Sequence, residues 1–249
     1  MKTLGIIPAR YDSTRFPGKP LVDLEGKTMI RRVYERASQG VDVAVVATDD
    51  ARIESEVKRF GGNVVMTAKH HSTGTNRCLE AFDIWTEKSG DTYDIVVNVQ
   101  GDEPLLDPAS LRTIIQPFTD MECEMATLVT HVTNAADLES SNNVFVTLDQ
   151  NGKALYFSRH PIPFVRGYDR SEWLKRADFY RHIGLYAFRP CALRSFASMA
   201  MGELEKAESL EQLRWLESGR ALYCGIVNEI SVSVDTPEDA DAVRALLNL

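Results

Sequence analysis

Apolar and polar positions follow two regular patterns along the first half of the chain. Four short apolar runs, each bounded by polar residues, are typical of strands buried on both faces of a parallel sheet. The runs occupy residues 3–8, 41–48, 63–67 and 94–99. Between them, apolar residues recur every three to four positions over residues 28–39, 50–61 and 75–88, which predicts three helices. This alternation predicts a twisted, mostly parallel sheet flanked by helices.

The second of these helices has suitable residues at both ends. Asp50 stands where an N-terminal cap is needed, because its carboxylate can accept a hydrogen bond from a free main-chain N–H. Gly61 and Gly62 stand where the helix should end, since glycine readily adopts the left-handed conformation. These residues support helix bounds near 50 and 61.

The hydrophobic pattern changes after about Met121. Strand-like stretches separated by short turns, such as residues 149–152, predict antiparallel hairpins. They occupy residues 124–133, 143–149 and 154–159. A strand and a helix follow over residues 179–199, then an amphipathic helix over 209–219, then a C-terminal strand and helix. We predict one α/β domain over residues 1–249, with a smaller β-rich insertion at about 121–190.

Apolar side chains of the insertion leave two interpretations open. Val144, Val146, Leu155 and Phe157 can pack in a core or form an interface between two subunits. The sequence does not distinguish the two, and burial in the core is the simpler prediction.

Composition and charge exclude some classes of function. The formal net charge is −8, which argues against a nucleic-acid-binding or anionic-membrane-binding protein, because both need a basic face. No apolar run approaches the roughly 18 residues of a membrane span, and the N-terminus lacks the layout of a secretory signal. We therefore expect a cytoplasmic protein without stable membrane insertion.

The four cysteines do not indicate a metal centre or a disulfide framework. Cys78, Cys123, Cys191 and Cys224 are far apart and include no CxxC pair. We predict that they are small buried side chains.

A cluster of positive charge follows the first predicted strand. Ligands of open α/β sheets bind beyond the carboxyl ends of the strands, where residues 9–19 lie. Arg10, Arg15 and Lys19 can bind several negative charges together, and Gly18 allows close approach of the main chain. The segment matches neither common glycine-rich phosphate motif. We interpret it as a loop that binds a polyphosphate.

An alternative interpretation of this loop is a solvated surface segment. Its basic side chains would then pair with Asp12, Asp23 or Glu25. The prolines at positions 8, 17 and 20 favour the interpretation as a ligand loop. They stiffen the segment, and a solvated surface loop has no need of such stiffening.

Carboxylates follow two other apolar stretches. Asp102 and Glu103 come directly after the run at 94–99, and Asp235 follows residues 226–234. Carboxylates at two strand ends can meet over one site, and such oxygen ligands suit Mg²⁺ bound together with substrate phosphates. For Asp235, the sequence alone slightly favours capping of the following helix, because Asp235, Thr236, Pro237 and Glu238 match a cap followed by a proline in the first helical turn.

Seven segments, taken together and in order, resemble one family. They are IIPARYDSTRFPGKPL, HSTGTNR, VNVQGDEP, ALYFSR, RHIGLYAFR, LEQLR and VDTPEDA. They resemble the sugar-acid cytidylyltransferases over nearly the whole chain. The resemblance implies a Rossmann-like nucleotidyltransferase fold, usually dimeric, with the β-rich insertion as a candidate dimer interface.

The resemblance also implies a reaction. CMP would be transferred from CTP to the sugar acid 3-deoxy-D-manno-octulosonate (KDO), giving CMP-KDO and pyrophosphate in the presence of Mg²⁺, for lipopolysaccharide biosynthesis. Arg10, Lys19, Asp102 and Asp235 would be catalytic, with Asp102 and Asp235 holding the metal.

The remaining site residues are implied by the same family. The nucleotide contacts would be Pro8, Ala9, Arg10, Arg15, Lys19, Thr73, Gly74, Thr75 and Arg77. The sugar-acid contacts would be Gln100, Arg159, His182, Tyr186, Glu211 and Gln212.

Two residues depart from the family's SGT[DE]R pattern at positions 73–77. Thr73 replaces the serine and keeps its hydroxyl, whereas Asn76 replaces the acid and removes a charge. Gly74 and Thr75 suit a backbone that contacts a base edge, although a glycine at an ordinary strand-to-helix turn explains the pattern equally well.

His182 also has two interpretations. Beside Arg159 and Arg181 it is suited to a sugar carboxylate, but a single histidine in a strand is more often structural. Glu211 and Gln212 are neighbours in the predicted 209–219 helix, so one is expected to face a ligand and the other to support it.

Three other functions share some of these features. A cytidylyltransferase for a related sugar acid, such as an amino-KDO or a sialic-acid-like substrate, has the same loop and carboxylates. A nucleotide-sugar glycosyltransferase has less need of a basic loop, because its metal already binds the diphosphate. A non-catalytic nucleotide-binding protein would tolerate Asp102→Asn.

Overall fold

The structure is a computed structural model that describes residues 1–12, 15–71, 73–140, 142–228 and 231–248. The strands are β1 (Thr3–Ala9), β2 (Asp23–Leu24), β3 (Lys27–Thr28), β4 (Val43–Thr48), β5 (Val64–Met66), β6 (Ile95–Asn98), β7 (Met125–His131), β8 (Phe145–Leu148), β9 (Ala154–Ser158), β10 (Tyr180–Phe188) and β11 (Tyr223–Ile226). The helices are α1 (Met29–Ala37), α2 (Ala51–Arg59), α3 (Gly74–Ser89), α4 (Pro108–Ile115), α5 (Pro190–Ser198), α6 (Glu203–Glu208), α7 (Leu213–Glu217) and α8 (Pro237–Leu247). The chain divides into two compact units.

Unit 1 comprises Met1–Arg112, Ala187–Ala197 and Ser231–Leu249. Its strands form a parallel sheet in the order β6-β1-β4-β5, with β1 paired to both β4 and β6. Apolar residues fill both faces of the central strand, where Leu4, Ile6 and Ile7 are fully buried. The predicted parallel sheet and its three helices are confirmed, because continuous apolar runs of this kind need cover on both faces.

The ends of two helices follow the local sequence. Asp50 caps α2, since its side chain accepts a hydrogen bond from the Arg52 N–H, and Gly61 after the helix has φ +79°. Thr73 caps α3 by accepting a hydrogen bond from the Asn76 N–H at 3.2 Å. The predicted cap and stop of α2 are confirmed.

Unit 2 comprises Thr113–Tyr186 and Ser198–Ile230. Here β11 pairs with β7 in parallel, β7 neighbours β10, and β8 pairs in antiparallel fashion with both β10 and β9. The turn between β8 and β9 contains Gly152 at φ +77°, as the predicted hairpin requires. Unit 2 covers most of the predicted insertion and also takes in residues 198–230.

Several sequence expectations differ from the structure. The helix predicted over 209–219 is only the short α7, because Ser209 adopts a left-handed conformation with φ +53° and ends α6. The last predicted strand is limited to β11, so residues 231–234 are not part of a strand. The prediction of buried cysteines is wrong for Cys191, which is exposed.

The apolar residues of the hairpin, for which burial in the core and exposure at a subunit interface were both open, are not all buried. Val146 and Phe157 are 1% and 0% exposed and belong to the core. Leu155, by contrast, is 62% exposed, and Val144 is partly exposed. Core burial is therefore confirmed for Val146 and Phe157 and wrong for Leu155.

No helix among the described residues is long and apolar enough to cross a lipid bilayer.

Candidate active site

A cleft of about 440 Å³ lies in unit 1 beyond the carboxyl ends of β1 and β6. Its lining residues are Pro8, Ala9, Arg10, Asp12, Arg15, Lys19, Pro20, Gln100, Gly101, Asp102 and Asp235. We call it the strand-end cleft. It brings together the predicted basic loop, both predicted metal carboxylates and Gln100, which come from three distant parts of the sequence. The end of a parallel sheet is where open α/β folds bind ligands.

The basic loop is held in shape by Tyr11. The Gly18 N–H donates a hydrogen bond to the Tyr11 carbonyl at 2.9 Å, and Gly18 has φ +75°. A Cβ at this position would also lie 3.1 Å from the Tyr11 hydroxyl. The Arg52 guanidinium stacks on the Tyr11 ring at 3.2 Å. Gly18 is therefore needed for a left-handed turn against Tyr11, and not only for close approach to a ligand.

Lys19 lies between the two predicted metal carboxylates. Its Nζ is 2.8 Å from Asp102 Oδ2 and 3.2 Å from Asp235 Oδ1. Arg15 Nη1 adds a longer contact to Asp235 Oδ2 at 3.4 Å. The alternative in which Lys19 and Arg15 pair with Asp12, Asp23 or Glu25 is wrong, because the partners of these two cations are Asp102 and Asp235.

Asp235 is not the cap of α8. Thr236 occupies that position, where its side chain accepts a hydrogen bond from the Asp239 N–H and the Asp239 carboxylate binds the Thr236 N–H in return. Because the cap is provided by the next residue, the Asp235 carboxylate is left to contact Lys19. The Val234 N–H donates to the Asp102 carbonyl at 2.9 Å, which ties the two acidic segments together.

Gly101 is required by close packing of two strand ends. A Cβ at this position would lie 2.3 Å from the Pro8 carbonyl oxygen. No side chain fits at that distance, so Gly101 allows the segments after β1 and β6 to touch.

The carboxylates of the cleft fit a magnesium ion. One ammonium group lies within hydrogen-bond distance of both Asp102 and Asp235, so their oxygens converge on one position suited to a cation. In the described part of the chain there is no group of three or more histidine, cysteine, aspartate or glutamate side chains that could hold a metal. A pair of carboxylates is nevertheless the usual protein share of a Mg²⁺ site, because substrate phosphates supply further ligands.

Glu103 differs from its neighbour Asp102. Burial, together with the charge of Asp102, raises the pKa of the Glu103 carboxyl to about 7. Glu103 is therefore the less suitable carboxylate for a cation.

The segment at positions 73–77 is fixed by a buried arginine. Arg77 is 0% exposed, and its Nη2 donates to Asp49 at 2.8 Å while its Nη1 donates to Thr67 at 2.5 Å. This burial favours positioning of the segment over the direct nucleotide contact that the family resemblance implies for Arg77. Gly74 is exposed and Thr75 is buried in the first turn of α3.

Asn76 stands where a capping-box acid would stand. Its N–H binds the Thr73 hydroxyl, and position 76 is the third residue of α3, where an acid can bind the N–H of the cap in return. The family's acid at this position is thus explained by helix capping, and an ionic role toward a ligand is not needed.

A contact between Glu80, His71 and Arg10 was not visible in the sequence. The Glu80 carboxylate accepts a hydrogen bond from the Ala68 N–H at 2.9 Å and also contacts His71 Nε2. The His71 carbonyl in turn accepts a hydrogen bond from Arg10 Nη2. The connection from β5 to α3 therefore helps to hold one of the three cations of the strand-end cleft.

Five of the six predicted sugar-acid residues lie in unit 2. We call Arg159, His182, Tyr186, Glu211 and Gln212 the unit 2 set. The His182 and Tyr186 rings are 5.5 Å apart, and Phe157 packs edge-on against His182 at 5.0 Å. Burial raises the pKa of Tyr186 well above its usual value of about 10, with a further contribution from the charge of Glu211.

The imidazole of His182 is neutral. Burial lowers the pKa of its imidazole to about 3, although the residue as a whole is partly exposed. Its neighbour Arg181 binds Asn143 at 3.3 Å. A neutral imidazole adds no positive charge of its own to a site for a sugar carboxylate.

Arg159 is oriented by the end of α6. Its Nε donates to the Glu208 carbonyl at 2.8 Å and its Nη2 to the Ser209 carbonyl at 3.3 Å. The Glu208 carboxylate binds the Arg159 N–H at 2.9 Å and the Ser158 hydroxyl at 2.8 Å. Main-chain carbonyls thus hold the guanidinium without neutralising its charge.

Gln212 carries an unsatisfied donor. Its side chain is 3% exposed, and its Nε2 has no hydrogen-bond partner among the described residues. An unpaired buried amide is costly unless a ligand binds it. Glu211 lies 3.8 Å from Arg214, whose guanidinium is held by the buried Glu205 at 2.6 Å.

The chain is similar to known proteins over nearly its whole length. A family model described as cytidylyltransferase matches residues 4–230. The 3-deoxy-manno-octulosonate cytidylyltransferase of Parabacteroides distasonis is 50% identical over 99% of this chain and 98% of that protein. The protein with the same description from Bacteroides thetaiotaomicron is 51% identical over 96% of this chain and 95% of that protein.

A solved structure agrees with these sequence similarities. A CMP:2-keto-3-deoxy-manno-octonic acid synthetase complexed with CTP superposes with a TM-score of 0.90 at 40% identity, covering 100% of this chain and 99% of that one. The predicted Rossmann-like α/β fold is confirmed by this similarity.

Proposed function

The chain belongs to the cytidylyltransferase family, and on that premise we propose that it transfers CMP from CTP to KDO, releasing pyrophosphate. The proposal is supported most directly by the strand-end cleft, where three basic residues and two convergent carboxylates stand at the end of a parallel sheet. The negative charges of a triphosphate complement the three basic residues, and a cation bound to the triphosphate complements the two carboxylates. The choice of CTP and KDO rests on the similar proteins.

Within the cleft, Arg10, Arg15 and Lys19 bind the triphosphate and stabilise the charge that develops on the leaving pyrophosphate. Charge stabilisation by groups already held in place supplies a large part of the rate in such reactions. Arg10 is held by His71 and Lys19 by the two carboxylates, so little reorganisation of the protein is needed.

Asp102 and Asp235 would hold Mg²⁺. When bound there, the ion would polarise the α-phosphate and lower the pKa of the attacking hydroxyl, so that no separate protein base is required. Through such an ion the two carboxylates would orient the triphosphate, and Gln100 lines the same cleft as a hydrogen-bonding side chain for a substrate.

The unit 2 set supplies groups that suit a sugar acid. Arg159 keeps its positive charge for a carboxylate, and Gln212 offers a buried donor. Tyr186 and Glu211 add a hydroxyl and a carboxylate that can bind sugar hydroxyls. This combination of one cation with several neutral or acidic hydrogen-bonding groups favours a polyhydroxylated acid over a simple anion.

Pyrophosphate release by the purified protein tests the proposal. With Mg²⁺, we expect release that needs both CTP and KDO and is much slower with UTP, ATP or GTP. Release with an amino-KDO or a sialic-acid-like substrate, but not with KDO, would favour a cytidylyltransferase for that sugar acid. Release of a nucleoside diphosphate from a nucleotide sugar would favour a glycosyltransferase. No turnover with any sugar acid would overturn the proposal.

Replacing Glu208 with glutamine tests the role of Arg159. The amide can accept only one of the two hydrogen bonds that the carboxylate accepts, and the orientation of Arg159 depends on this segment. We expect the KM for KDO to rise about tenfold, which corresponds to about 1.4 kcal/mol, while the KM for CTP stays within twofold. Initial rates at varied KDO and CTP measure both values.

Glu203→Gln is the matched control for Glu208→Gln. Glu203 is in the same helix, but its side chain is 83% exposed and pairs, among the described residues, with Lys206 alone. Its loss should therefore leave both KM values unchanged. Equal KM values for KDO in Glu208→Gln and the wild type would show that Glu208 does not position Arg159.

A homodimer and a cytoplasmic location are also part of this proposal. The exposed Leu155 on β9 and the exposed Phe164 are apolar side chains that a second subunit can cover. Light scattering during gel filtration would report the oligomeric state, and a monomeric mass at micromolar concentration would contradict the dimer.

A further inference from the structure

His182 is joined to a buried threonine by a hydrogen bond whose direction can be deduced. Thr127 on β7 is 0% exposed. Its Oγ1 lies 2.9 Å from His182 Nε2, 2.8 Å from the Leu185 carbonyl oxygen and 3.2 Å from the Ile183 carbonyl oxygen. One hydroxyl is thus surrounded by one ring nitrogen and two main-chain oxygens.

The two carbonyls determine which partner donates. A carbonyl oxygen can only accept, and a threonine hydroxyl has only one proton to donate. The Thr127 proton is therefore directed to the nearer carbonyl, that of Leu185, and the ring nitrogen cannot receive it. The contact at 2.9 Å is a hydrogen bond only if His182 Nε2 carries a proton and Thr127 Oγ1 accepts it.

A neutral imidazole with a proton on Nε2 has none on Nδ1. The ring of His182 is neutral because burial lowers its pKa, so Nδ1 is a hydrogen-bond acceptor. Within the described part of the chain, this nitrogen makes no hydrogen bond. The residue as a whole is partly exposed, and its ring lies beside that of Tyr186 with 5.5 Å between the ring centroids.

We propose that Thr127 is a positioning and specificity-determining residue, which holds His182 in the Nε2–H tautomer so that Nδ1 accepts a hydrogen bond from a hydroxyl of the acceptor sugar. His182 thereby selects for a hydroxyl donor and against a carboxylate at this position, because a bare ring nitrogen repels a negatively charged acceptor oxygen. The part of this inference that concerns the sugar rests on the proposed function.

The tautomer can be measured directly in the intact protein. Long-range ¹H–¹⁵N spectra of protein labelled with ¹⁵N-histidine distinguish the two tautomers and the cation, and His182→Gln identifies its signals among the five histidines. We expect the Nε2–H tautomer of His182 from pH 8 to pH 5. Addition of KDO in the presence of CTP should move the Nδ1 resonance to lower frequency, and CTP alone should not.

Substitution of Thr127 gives the second readout. Thr127→Val keeps the shape but removes the acceptor, so we expect the Nδ1–H tautomer to become populated and the KM for KDO to rise about tenfold. The KM for CTP should stay within twofold. Thr127→Ser restores the hydroxyl and should restore both the tautomer and the KM. Thr130→Val, at another buried threonine of β7, is the matched control and should change neither.

The outcomes separate this inference from the proposed function. A wild-type His182 that is cationic or carries its proton on Nδ1 at pH 7 overturns the inference, and so does an unchanged tautomer in Thr127→Val. If Thr127→Val does not fold, the wild-type spectrum and Thr127→Ser still decide the question. Absence of turnover with KDO contradicts the proposed function but leaves the tautomer result intact.

Discussion

Asp102→Asn is expected to lower kcat about a hundred- to a thousandfold while CTP still binds. The substitution keeps the size of the side chain but removes one of the two negative charges that converge in the strand-end cleft. Loss of a charge that holds a catalytic metal costs several kcal/mol in the transition state, and 3 to 4 kcal/mol corresponds roughly to this loss of rate. Rates of pyrophosphate release and calorimetric titration with CTP measure the two quantities separately.

Asp107→Asn is the matched control for Asp102→Asn. Asp107 is exposed and its Oδ1 binds the Ala109 N–H at 2.9 Å, a contact that asparagine also makes at the start of a helix. The control should retain wild-type turnover. Wild-type turnover in Asp102→Asn would remove the metal site from the proposal, and an equal loss in both variants would mean that the effect is not specific to the cleft.

Lys19→Ala is expected to weaken CTP binding about 30- to 100-fold. The residue supplies a cation whose side chain is only 14% exposed, and a hydrogen bond between charged groups contributes about 1.5 to 3 kcal/mol. Removal of Lys19 also leaves Asp102 without its cationic partner and Asp235 with only the longer contact to Arg15, so the two carboxylates repel the triphosphate more strongly. Both effects act in the same direction, and calorimetric titration with CTP measures their sum.

Lys27→Ala provides the comparison for Lys19→Ala. It makes the same change of charge in unit 1, at a lysine that pairs with Glu35 at 2.6 Å. We expect no change in CTP affinity for this variant. If Lys19→Ala also binds CTP with wild-type affinity, the basic loop is not a triphosphate-binding loop.

The parallel strands and several residues that line the strand-end cleft were predictable from the sequence. Buried parallel strands leave continuous apolar runs, and the topology of such sheets places the residues after each run at one edge. Asp102 and Lys19 are not part of any apolar periodicity themselves, so their position after or near a strand was the informative feature. Their contact at 2.8 Å agrees with this reasoning.

Other features depended on main-chain geometry that residue types alone do not reveal. Ser209 adopts a left-handed conformation that is unusual outside glycine, and it divides a stretch whose periodicity predicts one helix. Arg77 is buried although arginine is usually exposed, because Asp49 and Thr67 arrive from the ends of β4 and β5. The tautomer of His182 depends on Thr127, which is 55 residues away in sequence.

The pair Asp235 and Thr236 shows that the order of two residues along the chain can matter more than which residue types are present. Thr236 begins α8 and Asp235 contacts Lys19, and both residue types are competent helix caps. Exchanging the two would leave the composition, the net charge and the helix start almost unaltered. The carboxylate would nevertheless be moved into the helix cap and away from Lys19. A comparison of homologues that scores only the presence of an acid and a hydroxyl near this helix would therefore miss the loss of the contact with Lys19. A comparison that also scores the order of the two residues would detect it.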